Sequence, residues 1–110
     1  MKKLLTLTLL VLSTLFMNLA PEVIAADLQA GEQVFSANCS ACHAGGENAI
    51  MPKKTLKKDV LEDNGMNSTE AITTQVKNGK NAMPAFGGRL EEEDIDNVAG
   101  YVLDKSEQGW

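Results

Sequence analysis

The run Cys39-Ser40-Ala41-Cys42-His43 constrains the fold of this chain more than any other feature of its sequence. On one helical turn, positions i, i+3 and i+4 share a face, and Cys39, Cys42 and His43 have this spacing. Two thiols on that face can bond both vinyl edges of one porphyrin while the imidazole lies under its iron. Because C-x-x-C-H is the attachment signature of a c-type haem, we expect the chain to fold around one covalently bound haem c.

Two other interpretations of the cysteine pair fit less well. A thioredoxin-like dithiol expects a βαβ pattern and has no use for His43, and the sequence has no alternating strand pattern. A Cys39–Cys42 disulfide suits an exported chain, but it also leaves the histidine unexplained. Haem attachment uses all three side chains, so we favour it.

The first 25 residues are typical of a cleaved export signal. A short basic start at residues 1–3 precedes an apolar run over residues 4–20, and small residues surround Ala25. The run is short for a membrane anchor, which needs about 20 apolar residues. We therefore predict a signal peptide over residues 1–25, cut after Ala25, and one domain over residues 26–110.

Composition limits what that domain can be. A chain of 110 residues with 44% hydrophobic and 23% charged residues is globular, and its net charge of -5 argues against a nucleic-acid partner. Two cysteines and one histidine exclude a four-thiolate zinc site and a two-histidine metal site. A domain this small has few aromatic residues for its core, so the haem is expected to supply much of it. The aromatic residues of the domain are Phe35, Phe86, Tyr101 and Trp110.

A second axial ligand must come from elsewhere in the chain, because His43 is the only histidine, and the candidates are Met51, Met66 and Met83. Met51 follows His43 too closely, and Met66 precedes a predicted helix. Met83 lies before Pro84 in a stretch without helical or strand periodicity, which indicates a loop. We predict that His43 and Met83 are the axial ligands of the iron and that Met51 and Met66 are packing residues, a pairing that raises the reduction potential.

Two filled axial positions favour electron transfer over catalysis, because substrate or oxygen chemistry needs an open position on the iron. A haem enzyme or ligand sensor therefore remains the disfavoured alternative. The second ring nitrogen of His43 is expected to donate to a backbone carbonyl, as in most ligating histidines, but the sequence does not indicate which one.

Apolar spacing predicts an all-α domain of about four short helices. The first covers residues 28–37 with Asp27 as its N-cap, and Gly31, one turn before Phe35, indicates close approach of another helix. The second covers residues 56–62, with Thr55 as its cap.

The other two helices lie in the second half of the chain. One begins near Asn67, buries Ile72 and Val76, and ends at Gly79. The last covers residues 92–105, and acidic residues in its first turn suit the helix dipole. Its predicted apolar stripe consists of Ile95, Val98, Ala99 and Val102.

Charged side chains cluster at two places in the sequence. They are either solvated faces or patches that steer a transient encounter with a charged partner, and the sequence leaves both interpretations open. The basic group is Lys53, Lys54, Lys57 and Lys58, and the acidic group is Glu91, Glu92, Glu93, Asp94 and Asp96.

Over nearly all of residues 26–110 the chain resembles cytochrome c6, a family of photosynthetic class I cytochromes c. C-x-x-C-H alone indicates only a c-type cytochrome. The run over residues 78–90 narrows the resemblance from c-type cytochromes in general to cytochrome c6. One departure is that Leu90 is followed by three glutamates, where relatives commonly have a threonine, serine or aspartate cap, which leaves the start of the last helix uncertain. The other matching segments are residues 54–58, Gln75-Val76, residues 99–103 and Gly109-Trp110.

The resemblance implies a class I cytochrome c fold and a role for each matching residue. Cys39 and Cys42 would carry the thioethers, and His43 and Met83 would be the axial ligands. Gln75 matches a family glutamine of the haem environment that is thought to tune the potential. Arg89 matches a family arginine implicated in docking to photosystem I.

The implied function is that of a soluble carrier rather than an enzyme. It would take electrons from the cytochrome b6f complex and deliver them to photosystem I. The implied compartment is the thylakoid lumen, to which the periplasm could be added as a second location. A general exported cytochrome c that donates to a terminal oxidase remains a second interpretation.

Overall fold

The computed structural model describes residues 26–110, so the predicted signal peptide lies outside the described residues. This part of the chain has no strand, only an isolated antiparallel bridge between Lys80 and Met83. The all-α prediction is confirmed. None of the helices in residues 26–110 is long and apolar enough to cross a membrane. The helices are α1 (Leu28–Asn38), α2 (Ser40–His43), α3 (Lys58–Asp63), α4 (Thr69–Asn78) and α5 (Glu92–Gln108), with a 3-10 turn at Ala44–Gly46 between α2 and α3.

Helices α1 and α5 approach each other closely at Gly31. A Cβ on this residue would overlap the backbone carbonyl of Asn97 and the side chain of Tyr101. The side chain of Asn97 accepts a hydrogen bond from the Asp27 amide at 3.0 Å, and the Asp27 side chain accepts one from Ala30 at 3.0 Å. Both the Asp27 cap and the close approach at Gly31 are therefore confirmed.

The apolar faces of α1, α4 and α5 form one core. Ile95 and Val98 of α5 are each only 1% exposed, and burying an aliphatic side chain of this size contributes about 1.5–3 kcal/mol. The predicted inward faces of α4 and α5 are confirmed. The buried apolar residues are Phe35, Leu61, Ile72, Val76, Phe86, Ile95, Val98, Ala99 and Val102.

Helix α3 begins at Lys58, two residues later than predicted, and Thr55 is not its cap. The amide of Leu56 donates to the carbonyl of Gly46 at 2.7 Å, which ties this segment to the preceding turn instead of the helix. Lys57 is extended, and its amide lies 3.4 Å from the hydroxyl of buried Thr55.

Helix α4 begins one residue later than the predicted cap would place it. Ser68, not Asn67, is the N-cap, and its hydroxyl accepts from the Ala71 amide at 3.1 Å. Serine and asparagine cap helices about equally well, so the sequence alone does not decide which of these two adjacent residues is the N-cap. Gly79 ends α4 with a φ of 71°, as predicted.

Helix α5 begins at Glu92 as predicted, despite the three consecutive glutamates. Glu91 is the N-cap residue, and its amide donates to the Asp94 carboxylate at 3.2 Å. The helix continues beyond the predicted Lys105 to Gln108, because Gly109 adopts the left-handed conformation that ends it.

Candidate functional site

Helix α2 presents the three predicted haem-attachment residues on one turn. The amide of His43 donates to the carbonyl of Cys39 at 2.9 Å, so these residues are one helical turn apart. Cys39 packs partly buried against the core, whereas Cys42 is exposed. Burial raises the pKa of the Cys39 thiol to about 11, so a free Cys39 is protonated at neutral pH.

The imidazole of His43 is held by a backbone carbonyl. Its Nδ1 lies 2.9 Å from the carbonyl oxygen of Glu47. Because a carbonyl can only accept, Nδ1 must carry the proton, which leaves the lone pair of Nε2 available for a metal. Glu47 is thus the carbonyl partner that the sequence did not identify, since nothing in a sequence marks one backbone carbonyl among its neighbours.

Met83 lies in the loop formed by residues 80–88, called the Met83 loop below, which backbone hydrogen bonds attach to the end of α4. Lys80 and Met83 exchange backbone hydrogen bonds of 3.0 and 2.9 Å, and the Phe86 amide donates to Val76 of α4 at 2.8 Å. The predicted loop is confirmed, and the Met83 side chain packs partly buried against the core. Met66 also packs there, as predicted, whereas Met51 is 43% exposed and is not the packing residue that we expected.

Gln75 and Met83 are brought into direct contact. The Nε2 of Gln75 donates to the Sδ of Met83 at 3.5 Å. Gln75 lies on the last full turn of α4, and the loop that follows α4 returns Met83 to this side chain. The contact sets a polar hydrogen against the sulfur that is predicted to bind iron.

The donor set fits a haem c. Two thiols, an imidazole nitrogen and a thioether sulfur are the groups that attach and ligate such a haem. Cys39 and Met83 both pack, partly buried, against the same apolar core. Cys39, Cys42, His43 and Met83 are therefore the residues of this chain that could hold the group.

Arg89 is exposed beside the Met83 loop. Its guanidinium carbon lies 5.7 Å from the centre of the Phe86 ring, and its amide donates to the Phe86 carbonyl at 2.9 Å. None of the ion pairs within residues 26–110 includes Arg89. The side chain therefore presents a positive charge to solvent near the predicted ligand.

Two of the four lysines in the basic group, Lys57 and Lys58, form ion pairs with neighbouring carboxylates. This arrangement favours solvated, ion-paired helix faces over one continuous basic patch. The pairs are Lys57–Glu47 at 3.3 Å, Lys58–Glu62 at 3.9 Å and Lys58–Glu107 at 3.1 Å, and the Nζ of Lys54 donates to Asn64 at 2.7 Å. In the acidic group, Glu92 pairs with Lys77 at 3.0 Å.

The chain is similar to known proteins over most or all of its length. A family model described as cytochrome c oxidase, cbb3-type, subunit III matches residues 26–102. Cytochrome c6 of Pyropia yezoensis is 64% identical over 110 residues, which are 100% of both chains. Cytochrome c6 of Pyropia tenera is 74% identical over 85 residues, which are 77% of this chain and 100% of that relative. The solved structure of cytochrome c6 from the diatom Phaeodactylum tricornutum matches with a TM-score of 0.75 and 59% identity, covering 77% of this chain and 100% of that one.

Proposed function

The chain belongs to the cytochrome c6 family, and from that membership we propose that it carries electrons from the cytochrome b6f complex to photosystem I. Family membership makes it a haem-bearing electron carrier of photosynthesis with a covalently bound haem c. The match over the full length to the Pyropia yezoensis relative carries the proposal. The donor set of α2 and the Met83 loop supports it.

Four residues would hold the haem, which supplies a one-electron Fe(III)/Fe(II) couple when bound. Cys39 and Cys42 form the two thioether bonds. His43 offers Nε2 to the iron, because its Nδ1 is occupied by the Glu47 carbonyl at 2.9 Å. Met83 would provide a thioether, a soft ligand that would favour Fe(II) and raise the reduction potential.

The Gln75 amide adjusts the electron donation of Met83. Its N–H points at the sulfur at 3.5 Å and draws electron density away from it. A weaker sulfur donor stabilises Fe(III) less, so this contact raises the reduction potential further. With His43 and Met83 both bound to it, the iron would have no position left for a substrate, which suits a carrier and not an enzyme.

Arg89 is the proposed docking residue for photosystem I. Its exposed charge, which makes no ion pair within residues 26–110, can meet an acidic patch on the partner. Such complementary charges raise the association rate more than the affinity, and a carrier that turns over quickly needs weak binding.

The proposal includes export of a soluble protein to the thylakoid lumen, and the same export signal would also allow a second location in the periplasm. Residues 1–25 would be the signal peptide, removed after Ala25. The 85 residues aligned with Pyropia tenera cytochrome c6 cover all of that relative, which supports a mature domain over residues 26–110.

Flash-induced kinetics with the purified haem-loaded protein test the proposal. We expect the photo-oxidised donor of photosystem I to be re-reduced at a rate that rises with protein concentration and falls with ionic strength. No reduction above the rate without protein would contradict the proposed function.

A terminal oxidase is a second candidate acceptor. The observation that favours it is the match of residues 26–102 to the family model described as cytochrome c oxidase, cbb3-type, subunit III. Parallel assays with an oxidase and with photosystem I separate the two roles, since the preferred acceptor will oxidise the reduced protein faster at equal ionic strength.

A further inference from the structure

Trp110, the last residue of the sequence, packs between α1, α5 and the turn that follows α2. Its ring centre lies 5.4 Å from that of Phe35 and 6.2 Å from that of Tyr101. The ring also covers Gly46, where a Cβ would overlap the indole and where the φ of 78° already favours glycine. Gly109 ends α5 and the Trp110 amide donates back to Lys105 at 3.0 Å, so the helix end fixes the position of this side chain.

A chain of hydrogen bonds links the indole to the carbonyl that holds His43. The Nε1 of Trp110 donates to the carbonyl of Leu56 at 2.8 Å. The amide of Leu56 donates to the carbonyl of Gly46 at 2.7 Å. Glu47 follows Gly46 directly, and its carbonyl oxygen lies 2.9 Å from Nδ1 of His43. Two hydrogen bonds, the backbone of Leu56 between them and the Gly46–Glu47 peptide unit therefore connect Trp110 with the residue that orients the imidazole.

Other contacts also hold this turn: the Glu47 amide donates to the Ala44 carbonyl at 3.2 Å and the Ala49 amide donates to the Cys42 carbonyl at 2.9 Å. The side-chain ion pair at the turn is weaker than the contact with Trp110. The Glu47 side chain pairs with Lys57 at 3.3 Å, but both side chains are more than half exposed. Exposed ion pairs contribute little and are screened by salt. The indole, by contrast, covers buried Gly46 and donates a hydrogen bond to a partly buried carbonyl.

We propose that Trp110 is a positioning residue for His43, acting through Leu56, Gly46 and the Glu47 carbonyl. Trp110 holds that carbonyl where the carbonyl accepts a hydrogen bond from Nδ1, and so sets the orientation and the electron donation of the imidazole. The inference rests on the proposed function, because it takes His43 as an iron ligand.

Three variants of the haem-loaded protein isolate this role. Trp110→Phe keeps an aromatic ring over Gly46 and removes the Nε1 donor, and Trp110→Ala removes both. Lys57→Gln is the matched control, since it removes the exposed ion pair to the same turn and leaves the indole. Exchange of the His43 Nδ1 proton is measured by NMR in the reduced state, with the Val98 amide as the reference for global opening because Val98 is 1% exposed.

We expect Trp110→Phe to speed exchange of the His43 Nδ1 proton about three- to tenfold relative to Val98, which corresponds to the loss of one hydrogen bond. Trp110→Ala should speed it further, and Lys57→Gln should leave it unchanged. The reduction potential should rise in both Trp110 variants, because a weaker hydrogen bond at Nδ1 makes the imidazole a poorer donor to Fe(III).

The proposed role of Trp110 would be overturned if Trp110→Phe left both the exchange rate of the His43 Nδ1 proton and the reduction potential unchanged. It would also be overturned if that exchange rate rose only as much as the exchange rate of the Val98 amide. Trp110→Phe alone is sufficient for this test if Trp110→Ala does not fold. A failure of the proposed function is visible separately, in the unmodified protein. If its reduced spectrum is not low-spin, or if no exchangeable proton of a ligated imidazole is found, the ligand assignment and this inference both fall.

Discussion

The side-chain amide of Gln75 donates to the sulfur of Met83 at 3.5 Å, which connects α4 with the loop that follows it. This contact exists because Gly79 ends α4 and the Met83 loop turns back along the helix, where the Phe86 amide donates to Val76 at 2.8 Å. The predicted iron ligand therefore has a hydrogen-bond donor that belongs to helix α4.

Replacing Gln75 by valine should lower the reduction potential. The variant removes the N–H that draws electron density from the sulfur, and one hydrogen bond corresponds to about 20–60 mV for a one-electron couple. Potentiometric titration measures the shift, and Thr74→Val on the exposed side of the same helix is the control. An equal or higher potential in Gln75→Val would contradict the proposed role of Gln75.

Replacing Arg89 by glutamate should slow electron transfer to photosystem I without changing the haem spectrum. The variant reverses an exposed charge that makes no ion pair within residues 26–110, so the fold should be unaffected. Transfer rates over a salt series measure the effect, which should shrink as screening increases. Lys53→Glu has the same change in net charge, and an equal slowing in both variants would remove any special role for Arg89.

The attachment turn and the main helices were predictable because their signals are local. Helical spacing places Cys39 and His43 on one turn, and Gly31 indicates the contact between α1 and α5. The start of α3 was not predictable, since the Leu56 amide binds the distant Gly46 carbonyl instead of beginning a helix at Thr55. The residue at which α3 begins therefore depends on a hydrogen bond between segments that are distant in the sequence.

The surroundings of the ligands were only partly predictable for the same reason. The sequence indicates that His43 needs a carbonyl partner, but only the folded turn identifies Glu47. The resemblance to the family predicted that Gln75 lies in the haem environment. Its contact with Met83 could not be predicted, because it depends on how the loop returns to α4.

Replacing Gly31 by alanine should destabilise the domain. Alanine is the better helix former by about 1 kcal/mol, but its Cβ would overlap the Asn97 carbonyl, and overpacking of this kind costs about 1–3 kcal/mol. We expect a lower midpoint of urea unfolding. Gly88→Ala is the control because nothing lies within 4 Å of the added carbon, and equal stability of both variants would contradict the close helix contact.

Replacing Met83 by alanine should open one axial position of the iron. The reduced variant should bind carbon monoxide at neutral pH, whereas the unmodified protein should not. The absorption spectrum of the haem reports binding. Met66→Ala is the control, since Met66 packs against the core and is not a predicted ligand. Carbon monoxide binding by the unmodified protein would favour a ligand sensor or haem enzyme.

Spectroelectrochemical titration of the purified haem-loaded protein tests the central claim most directly, because one experiment reports the haem type, its ligation and its potential. Ligation by His43 and Met83 predicts a low-spin c-type spectrum and a clearly positive midpoint potential. A high-spin spectrum or a negative midpoint would show that Met83 is not the resting ligand, and the electron-carrier account would then fail.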